Sequence, residues 1–347
     1  MKIKHILLFI LNLPFSILLI NGQIPAGYYN SATGLQGEEL RDALHNIIDD
    51  HDVVSYSDLW EVYEDTDKRQ DGKVWDMYSD CDFTFGSDQC GSYSSICDCY
   101  NREHAVPQSW FNEASPMVSD AFHVIPTDGK VNQYRSNFPF GECNSGTTYG
   151  TGKLGSCTYP GYSGTVFEPA DEYKGDFARI YFYMATRYMD VIDNWPGGAS
   201  FSEDNLSNWT RIMMLEWHHN DPVSQKEIDR NNAVFAYQDN RNPYVDNPVW
   251  ADAVWDPDYV PNNLEEFQVF FSITPIPASD KITVKINHAY YTNTKITIYD
   301  ISGRIKYSQF VQSTNEIIEI NDYLPGTYFI VLESNSVFYS KKLVVIK

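Results

Sequence analysis

An acid and an imidazole stand side by side in the stretch NREHAVP, residues 101–107. Neutral imidazole can deprotonate a water near neutral pH, and a carboxylate is a preferred ligand of hard cations. Neighbouring side chains of a strand point to opposite faces, so Glu103 and His104 cannot both aim straight at one atom in a regular strand. We therefore expect one to hold a cation and the other to act as base across the substrate, with Pro107 ending the strand.

A second polar segment, residues 120–141, reads DAFHVIPTDGKVNQYRSNFPFG and adds His123, Asn132 and Arg135. Amide oxygens also suit a hard cation, and an arginine can hold a phosphate oxygen. Asn132 and Arg135 are three residues apart and would share one face of a helix beginning near residue 131. The two segments together predict a strand-loop-strand-helix unit that performs metal-assisted hydrolysis of a phosphodiester.

The surrounding sequence predicts the helices that must support this unit. Leu40, Leu44, Ile47 and Ile48 lie on one face of a helix within residues 37–51. Further helices are predicted over residues 171–193 and 204–219, and Asp221-Pro222 is expected to open another with a cap and a proline in the first turn.

The character of the sequence changes near residue 256. WDPDYVPNN is rich in proline and asparagine and is typical of a linker. Beyond it the helical periodicity disappears, and segments such as KITVKI and KITIYD alternate cleanly between apolar and polar residues. Several short strands at this spacing predict a small β-sandwich of about eighty residues.

Charge and the N-terminus indicate an exported, soluble protein. Residues 1–22 combine a positively charged start with a short, interrupted apolar run, which favours a removable signal peptide over a membrane anchor. No later stretch is long and apolar enough to cross a bilayer. The 347 residues carry a formal net charge of -22, which argues against binding of nucleic acid through a large basic surface. Any phosphate chemistry therefore needs a bound metal or a local cluster of cations.

Six cysteines in an exported chain predict disulfide bonds. Cys143 and Cys157 bracket a loop rich in glycine, serine and threonine, and closing a loop of this length would stabilise the fold by roughly 3 kcal/mol. The other four cysteines cannot be paired from the sequence. A zinc site at Cys97 and Cys99 is disfavoured, because structural zinc sites usually separate paired cysteines by more residues.

Four ordered blocks of the chain resemble the bacterial endonuclease I family, secreted or periplasmic nucleases with a ββα-metal active site. The first two blocks are NREHAVPQSWF and the pattern D-x-x-H-x-x-P-T-D-G-x-V-N-x-x-R-S-N-x-P-F-G that begins at Asp120. The others are FEPADEYKGDFARIYFYM, residues 167–184, and WHHNDPVSQKEIDRNNAVFAYQDNRNPYVDNP, residues 217–248. The resemblance covers roughly residues 25–255.

The resemblance implies a reaction and the residues that carry it. His104 corresponds to the general base, while Glu103 and Asn132 correspond to the protein ligands of one divalent cation, usually Mg²⁺, completed by water. The implied reaction is hydrolysis of DNA with little sequence preference. RNA is an expected substrate too, because an external water nucleophile does not require a 2′-hydroxyl.

Three further residues take candidate roles from the same resemblance. Arg135 and Arg179 fall in family motifs and are candidates for contact with phosphate. His123 is expected to orient a ligand from behind the site.

The C-terminal segment resembles a type IX secretion sorting domain. ITPIPASDKITV, IYDISGRI, LPGTYFIVL and the basic end KKLVVIK carry the resemblance, although Ile276 replaces an asparagine that commonly stands at that position. The resemblance implies export through the periplasm by the type IX machinery, followed by release or surface anchoring.

The expected architecture is α+β, with a helix-rich catalytic domain around a ββα-metal core and a small all-β sandwich. The expected order is a signal peptide (1–22), a catalytic domain (23–255), a linker (256–269) and a sorting domain (270–347), in a chain that acts as a monomer. The alternative is a catalytically inactive surface or binding protein on the same fold. The presence of Glu103, His104 and Asn132 favours the enzyme, and the acidic net charge is the main argument against it.

Overall fold

The computed structural model describes residues 24–259, 271–286, 294–334 and 337–346. The predicted signal peptide lies outside the described residues, as does most of the predicted linker. The described chain is a mixed α+β structure, which confirms the predicted fold class. Its helices are α1 (Gly37–Ile48), α2 (Leu59–Thr66), α3 (Gly129–Arg135), α4 (Lys174–Arg187), α5 (Asn208–Asn220), α6 (Gln225–Gln238), α7 (Pro243–Asp246) and α8 (Val249–Trp255).

Within the part of the chain that the structure describes, the strands fall into five antiparallel sheets. In the N-terminal part the sheets are β1-β2, β3-β4-β5 and β6-β7, and in the C-terminal part they are β12-β9-β8 and β11-β10-β13-β14. The strands are β1 (Tyr100–His104), β2 (Val124–Asp128), β3 (Gly146–Tyr149), β4 (Gly152–Ser156), β5 (Thr165–Glu168), β6 (Phe201–Ser202), β7 (Asn205–Leu206), β8 (Phe271–Thr274), β9 (Lys281–Ile286), β10 (Lys295–Asp300), β11 (Ile305–Phe310), β12 (Asn315–Glu319), β13 (Gly326–Ser334) and β14 (Val337–Val345).

Helix α4 is the centre of the helical part. All of its residues are buried, and it packs against α1, α5 and α7. The apolar face predicted for α1 points into the same core, since Leu40, Leu44 and Ile48 have no exposed surface. Apolar side chains on the facing sides of these helices therefore supply the burial that holds the scaffold together.

The start of α6 differs from the sequence prediction. Asp221-Pro222 does not open the helix, which begins at Gln225 behind the N-cap Ser224. The Ser224 hydroxyl accepts the backbone N–H of Glu227, while the Glu227 carboxylate accepts the backbone N–H of Ser224, so the two residues form a capping box. The Asp221 carboxylate instead accepts the backbone N–H of Gly175, 2.8 Å away, in the first turn of α4.

The C-terminal strands enclose a separate apolar core. Alternate residues of β9 are buried, namely Ile282, Val284 and Ile286. In β10 Ile296 and Ile298 are buried in the same core, and Thr297 between them is buried as well. The alternation that predicted these strands therefore corresponds to the burial of one face in β9, whereas the middle of β10 is covered on both faces.

The disulfide pattern corrects one sequence expectation. Cys81 is bonded to Cys97 and Cys90 to Cys99, whereas Cys143 and Cys157 are free thiols. The Cys143 Sγ atom lies 3.5 Å from a carboxylate oxygen of Glu168. The Cys157 Sγ atom faces a backbone oxygen 3.8 Å away instead. Each thiol is therefore turned towards its own oxygen acceptor.

Among the described residues, no helix combines the length and the apolar character needed to cross a membrane.

Candidate active site

The predicted strand, loop, strand and helix follow one another in the structure. Strands β1 and β2 pair antiparallel, with Glu103 opposite Ile125 and His104 opposite Val124. Helix α3 begins directly after β2, because the Asp128 carboxylate caps it by accepting the backbone N–H groups of Lys130 and Val131. One short stretch of chain thus brings the end of β1 against α3.

A glycine permits this close approach. A Cβ added at Gly129 would lie 2.6 Å from the ring of Tyr93 and 3.3 Å from the side-chain nitrogen of Asn101. Real side chains do not fit at such distances, so the first residue of α3 has no room for any other amino acid without movement of its neighbours.

Glu103 is held by two hydrogen bonds in a buried position. Its side chain is nearly inaccessible, and its Oε1 atom accepts from the Tyr78 hydroxyl and from Nη1 of Arg135, both at 2.7 Å. Burial raises the pKa of this carboxyl, and the charge of Arg135 acts in the opposite direction. Since both bonds use Oε1, Oε2 is the oxygen that Glu103 can offer to a ligand.

His104 has a defined tautomer. Its Nε2 atom lies 3.0 Å from the backbone oxygen of Val118, which can only accept, so the proton is assigned to Nε2 and the lone pair to Nδ1. Burial, and secondarily the neighbouring His123, lowers the pKa of His104 to about 3. The imidazole is therefore neutral at physiological pH, which is the form that can accept a proton.

His123 lies behind His104. Their ring centroids are 5.6 Å apart, and His123 has no exposed surface. Its Nε2 atom donates to the backbone oxygen of Met117 at 2.6 Å, and its own backbone oxygen accepts the N–H of Ala105. Burial lowers the pKa of His123 to about 4. This residue supports the ring of His104 and the end of β1 from the interior.

Asn132 faces β1 from α3. Its Nδ2 atom donates to Oδ1 of Asn101 at 2.9 Å, with the amide orientation assigned from that bond. The amide oxygen is then the atom that Asn132 can offer to a cation.

Arg135 anchors the end of β1. Its side chain is 1% exposed, and Nη1 donates both to Glu103 and to the backbone oxygen of His104, at 2.7 Å each. Its Nη2 atom donates to the backbone oxygen of Ala105 at 2.6 Å. These bonds hold Glu103 and His104 in position and leave neither Nη atom of Arg135 without an internal acceptor.

The structure does not bring Arg179 to this site. Arg179 lies on α4 with no exposed surface, and it forms a two-pronged ion pair with Glu227, in which Nη2 donates to Oε2 at 2.8 Å. Its Nη1 atom donates to Nδ1 of His218 at 3.1 Å and to the backbone oxygen of Asp221 at 2.9 Å. The side chain is thus part of the internal packing between α4, α5 and α6.

A cleft of about 480 Å³ opens where β1 meets α3. Glu103, His104, Asn132 and Arg135 line it, and Arg179 and His123 do not. The other lining residues are Tyr56, Asn101, Arg102, Pro107, Gln108, Ser109, Ser136 and Asn137.

The sequence argument missed Tyr56 and Arg102. The ring of Tyr56 stacks on that of His104, with centroids 5.8 Å apart and an interplanar angle of 21°. The guanidinium carbon of Arg102 lies 3.7 Å from the centroid of Tyr56. Strand alternation alone could have placed Arg102 on the His104 face, whereas nothing local connects Tyr56 to β1.

The cleft has the donors that a hard cation requires. Glu103 could contribute a carboxylate oxygen from β1 and Asn132 an amide oxygen from α3, and such an all-oxygen set would suit Mg²⁺ with water completing the shell. Among the described residues, one other group of potential ligands lies close together, namely Cys81, Cys97 and Asp128. Both sulfurs of that group form a disulfide bond, so it is not a metal site.

Comparison with known proteins identifies the family. The family model described as Endonuclease I matches residues 36–249. The chain belongs to the endonuclease I family. Residues 272–347 match the secretion system C-terminal sorting domain. This endonuclease I family member is a nuclease that is secreted or carried at the cell surface.

Relatives of this nuclease carry names that refer to both nucleic acids. An "Extracellular ribonuclease" of Bacillus amyloliquefaciens is 35% identical over 241 residues, which is 66% of this chain and 78% of the relative. An "Extracellular deoxyribonuclease" of Aeromonas hydrophila is 27% identical over 137 residues, covering 39% of this chain and 52% of the relative. Among solved structures, PorZ of the type-IX secretion system of Porphyromonas gingivalis aligns to 22% of this chain and 11% of its own, with 17% identity and a TM-score of 0.19.

Proposed function

We propose that this nuclease is a metal-dependent endonuclease that hydrolyses phosphodiester bonds with little sequence specificity. The proposal rests on where the candidate metal ligands and the candidate base lie at the end of β1. Glu103 and Asn132 line the cleft with side chains that carry oxygen donors, and the neighbouring residue His104 lies on the face of β1 opposite to that of Glu103. A phosphate bound between them would meet a base on one side and a cation on the other.

His104 is proposed as the general base. Because Nε2 is bonded to the backbone oxygen of Val118, Nδ1 is free to take a proton from water as that water attacks phosphorus. The stacked ring of Tyr56 and the bond to Val118 keep the imidazole from rotating during this transfer. The imidazolium that results then passes the proton on to solvent or to the leaving oxygen, which restores the neutral base.

Glu103 and Asn132 are proposed as the ligands of one divalent cation, with Mg²⁺ the expected ion. When bound, this cation would neutralise charge on the phosphate and on the leaving oxygen. Arg135 acts through Glu103, because its Nη1 atom fixes one carboxylate oxygen and the backbone of β1. We assign Arg135 to positioning and Arg179 to the packing of α4, and neither to contact with phosphate.

DNA and RNA are both proposed as substrates. Attack by an external water does not involve the 2′-hydroxyl, and contacts to phosphate carry no sequence information. The names of the relatives, which include a ribonuclease and a deoxyribonuclease, agree with this breadth.

We propose that residues 23–255 form the catalytic domain, that 256–269 link it to the C-terminal strands, and that the type IX machinery recognises residues 270–347. The match of the sorting-domain model to residues 272–347 supports the second boundary.

A plasmid assay tests the proposed reaction. Mature protein with Mg²⁺ is expected to nick and then degrade supercoiled plasmid, and EDTA is expected to abolish this activity. His104→Ala should reduce the rate by about 10²–10⁴-fold, which is the usual contribution of a general base. His219→Ala is the matched control, because His219 is an exposed histidine paired with Asp252 away from the cleft.

The alternative function predicts a different outcome. If mature protein binds DNA or RNA but degrades neither of them with Mg²⁺, Mn²⁺ or Ca²⁺, the chain is a catalytically inactive binding protein. Equal rates for His104→Ala and His219→Ala would exclude His104 as the base while leaving the nuclease activity standing.

A further inference from the structure

The cleft contains a cation to which neither the sequence motifs nor the proposed reaction assigns a role. We infer that Arg102 binds a backbone phosphate of the nucleic acid, next to the phosphate that is cleaved. This inference rests on the proposed function only in taking nucleic acid as the substrate. It assigns the binding of the polymer to a residue outside the metal-and-base pair.

Of the described residues that line the cleft, Arg102 and Arg135 are the two that carry a fixed positive charge. Arg135 is buried, and both of its Nη atoms donate to acceptors inside the protein. Arg102 is partly exposed, and its Nη1 atom donates to the backbone oxygen of Tyr56. Nε and Nη2 of Arg102 therefore remain for a phosphate, and a guanidinium can present two donors to it at once.

The position of Arg102 matches this role. Residues two apart on a strand share a face, so Arg102 lies on the same face of β1 as His104, about 7 Å further along. The ring of Tyr56 stands beside both side chains, with its centroid 3.7 Å from the guanidinium carbon and 5.8 Å from the His104 ring. A strand of nucleic acid running along β1 would meet His104 at one phosphate and Arg102 at the neighbouring part of its backbone.

Aromatic rings hold the guanidinium in place before substrate arrives. Its carbon lies 3.7 Å from the centroid of Tyr56 and 4.5 Å from that of Trp60. Arginine stacks on such rings and presents a rigid fork, so less side-chain entropy is lost when it binds a phosphate than for a free surface lysine.

The charge of the whole chain makes this one contact important. With a net charge of -22, the protein as a whole repels a polyanion, so a local cation in the cleft contributes a large share of the attraction to phosphate. Removing a single cation from the cleft should therefore weaken binding measurably and uniformly across sequences.

The test measures how affinity depends on salt. A fluorescent single-stranded oligonucleotide is titrated with the mature His104→Ala protein in Mg²⁺ buffer, with and without Arg102→Gln, at several KCl concentrations. We expect Arg102→Gln to weaken binding about ten-fold, as a lost charge-assisted hydrogen bond does. The plot of log affinity against log salt should become shallower by about 0.7, the value for one phosphate contact on a single strand.

Two companion variants separate charge from packing. Arg102→Lys keeps the positive charge, so it should restore the wild-type salt slope. It should restore only part of the affinity, because an ammonium group cannot present the two fixed donors of a guanidinium to a phosphate. Arg304→Gln is the matched control, because it removes the same charge from an exposed arginine among the C-terminal strands. If Arg102→Gln does not fold, Arg102→Met, which keeps an apolar stem against Tyr56, carries the same expectation.

The inference is overturned if Arg102→Gln, or Arg102→Met in its place, gives the same affinity and salt slope as Arg304→Gln. A wild-type protein that binds the oligonucleotide with the Arg102-dependent slope but never hydrolyses it would overturn the proposed reaction and leave this inference intact. Gel analysis of the oligonucleotide after incubation with wild-type protein in the same buffer distinguishes the two results.

Discussion

The buried ion pair of Arg179 gives the sharpest test of the structure against the family motifs. The motif made Arg179 a candidate for contact with phosphate, whereas its guanidinium is bonded to Glu227, to His218 and to the backbone of Asp221. Glu227 is itself 6% exposed and belongs to the capping box of α6. Arg179→Met would therefore leave a buried carboxylate without its cation and remove the link between three helices.

The size of the effect follows from this burial. Breaking one partner of a buried ion pair costs about 3–5 kcal/mol, because the remaining charge has lost its compensation. For a folding unit of this size each kcal/mol lowers Tm by about 2–4 °C, so Arg179→Met should lower Tm by roughly 6–20 °C. Arg179→Lys keeps the charge but cannot form two parallel hydrogen bonds with the Glu227 carboxylate, so its Tm should lie between those of Arg179→Met and wild type.

The assay combines differential scanning calorimetry of the mature protein with plasmid nicking at a temperature where each variant is fully folded. We expect Arg179→Met to lower Tm by this amount while the nicking rate per folded molecule changes little. An Arg179 variant that keeps the wild-type Tm but nicks plasmid much more slowly would refute this reasoning. It would indicate that Arg179 takes part in the reaction.

Three further predictions concern the metal ligands, pH and the thiols. Glu103→Ala and Asn132→Ala should each weaken Mg²⁺ or Mn²⁺ binding in calorimetric titrations by about ten-fold or more, since even residues that only support metal ligands contribute 10–100-fold; unchanged affinity in both would rule out the ligand assignment. His218 has a pKa lowered to about 3 by burial and then by Arg179, so its stabilising contribution is complete above its unfolded pKa near 6.5 and is lost as pH falls towards 3. Between pH 6.5 and 5 that loss is about 2 kcal/mol, and urea unfolding of His218→Asn should show a pH dependence weaker by this amount; identical dependence would contradict it. Finally, the denatured but unreduced mature protein should react with two equivalents of a thiol reagent, at Cys143 and Cys157, and no reactive thiol would mean that these two are bonded to each other.

The site could be read from the sequence because its parts are close along the chain. Strand β1, strand β2 and helix α3 follow one another within residues 100–135, so strand alternation and helical spacing predicted the strand-loop-strand-helix unit. The family resemblance, and not the spacing alone, assigned roles in that unit to Glu103, His104 and Asn132. The same local patterns predicted the apolar face of α1 and the strands of the C-terminal part. The N-terminal signal sequence and the six cysteines were sufficient to predict export and disulfide bonds, but not which cysteines pair.

Tertiary packing decided what lies far apart in the sequence. Glu227 is 48 residues from Arg179, and only the packing of α6 against α4 shows that these charges neutralise each other in the interior. The stacking of Tyr56 on His104 has the same origin, because no local pattern connects that loop with β1. Motif and spacing could identify which side chains are suited to chemistry. Whether an arginine faces a substrate or a buried carboxylate depends on the free energy of burying its charge, which is set by neighbours that the folded chain alone brings together.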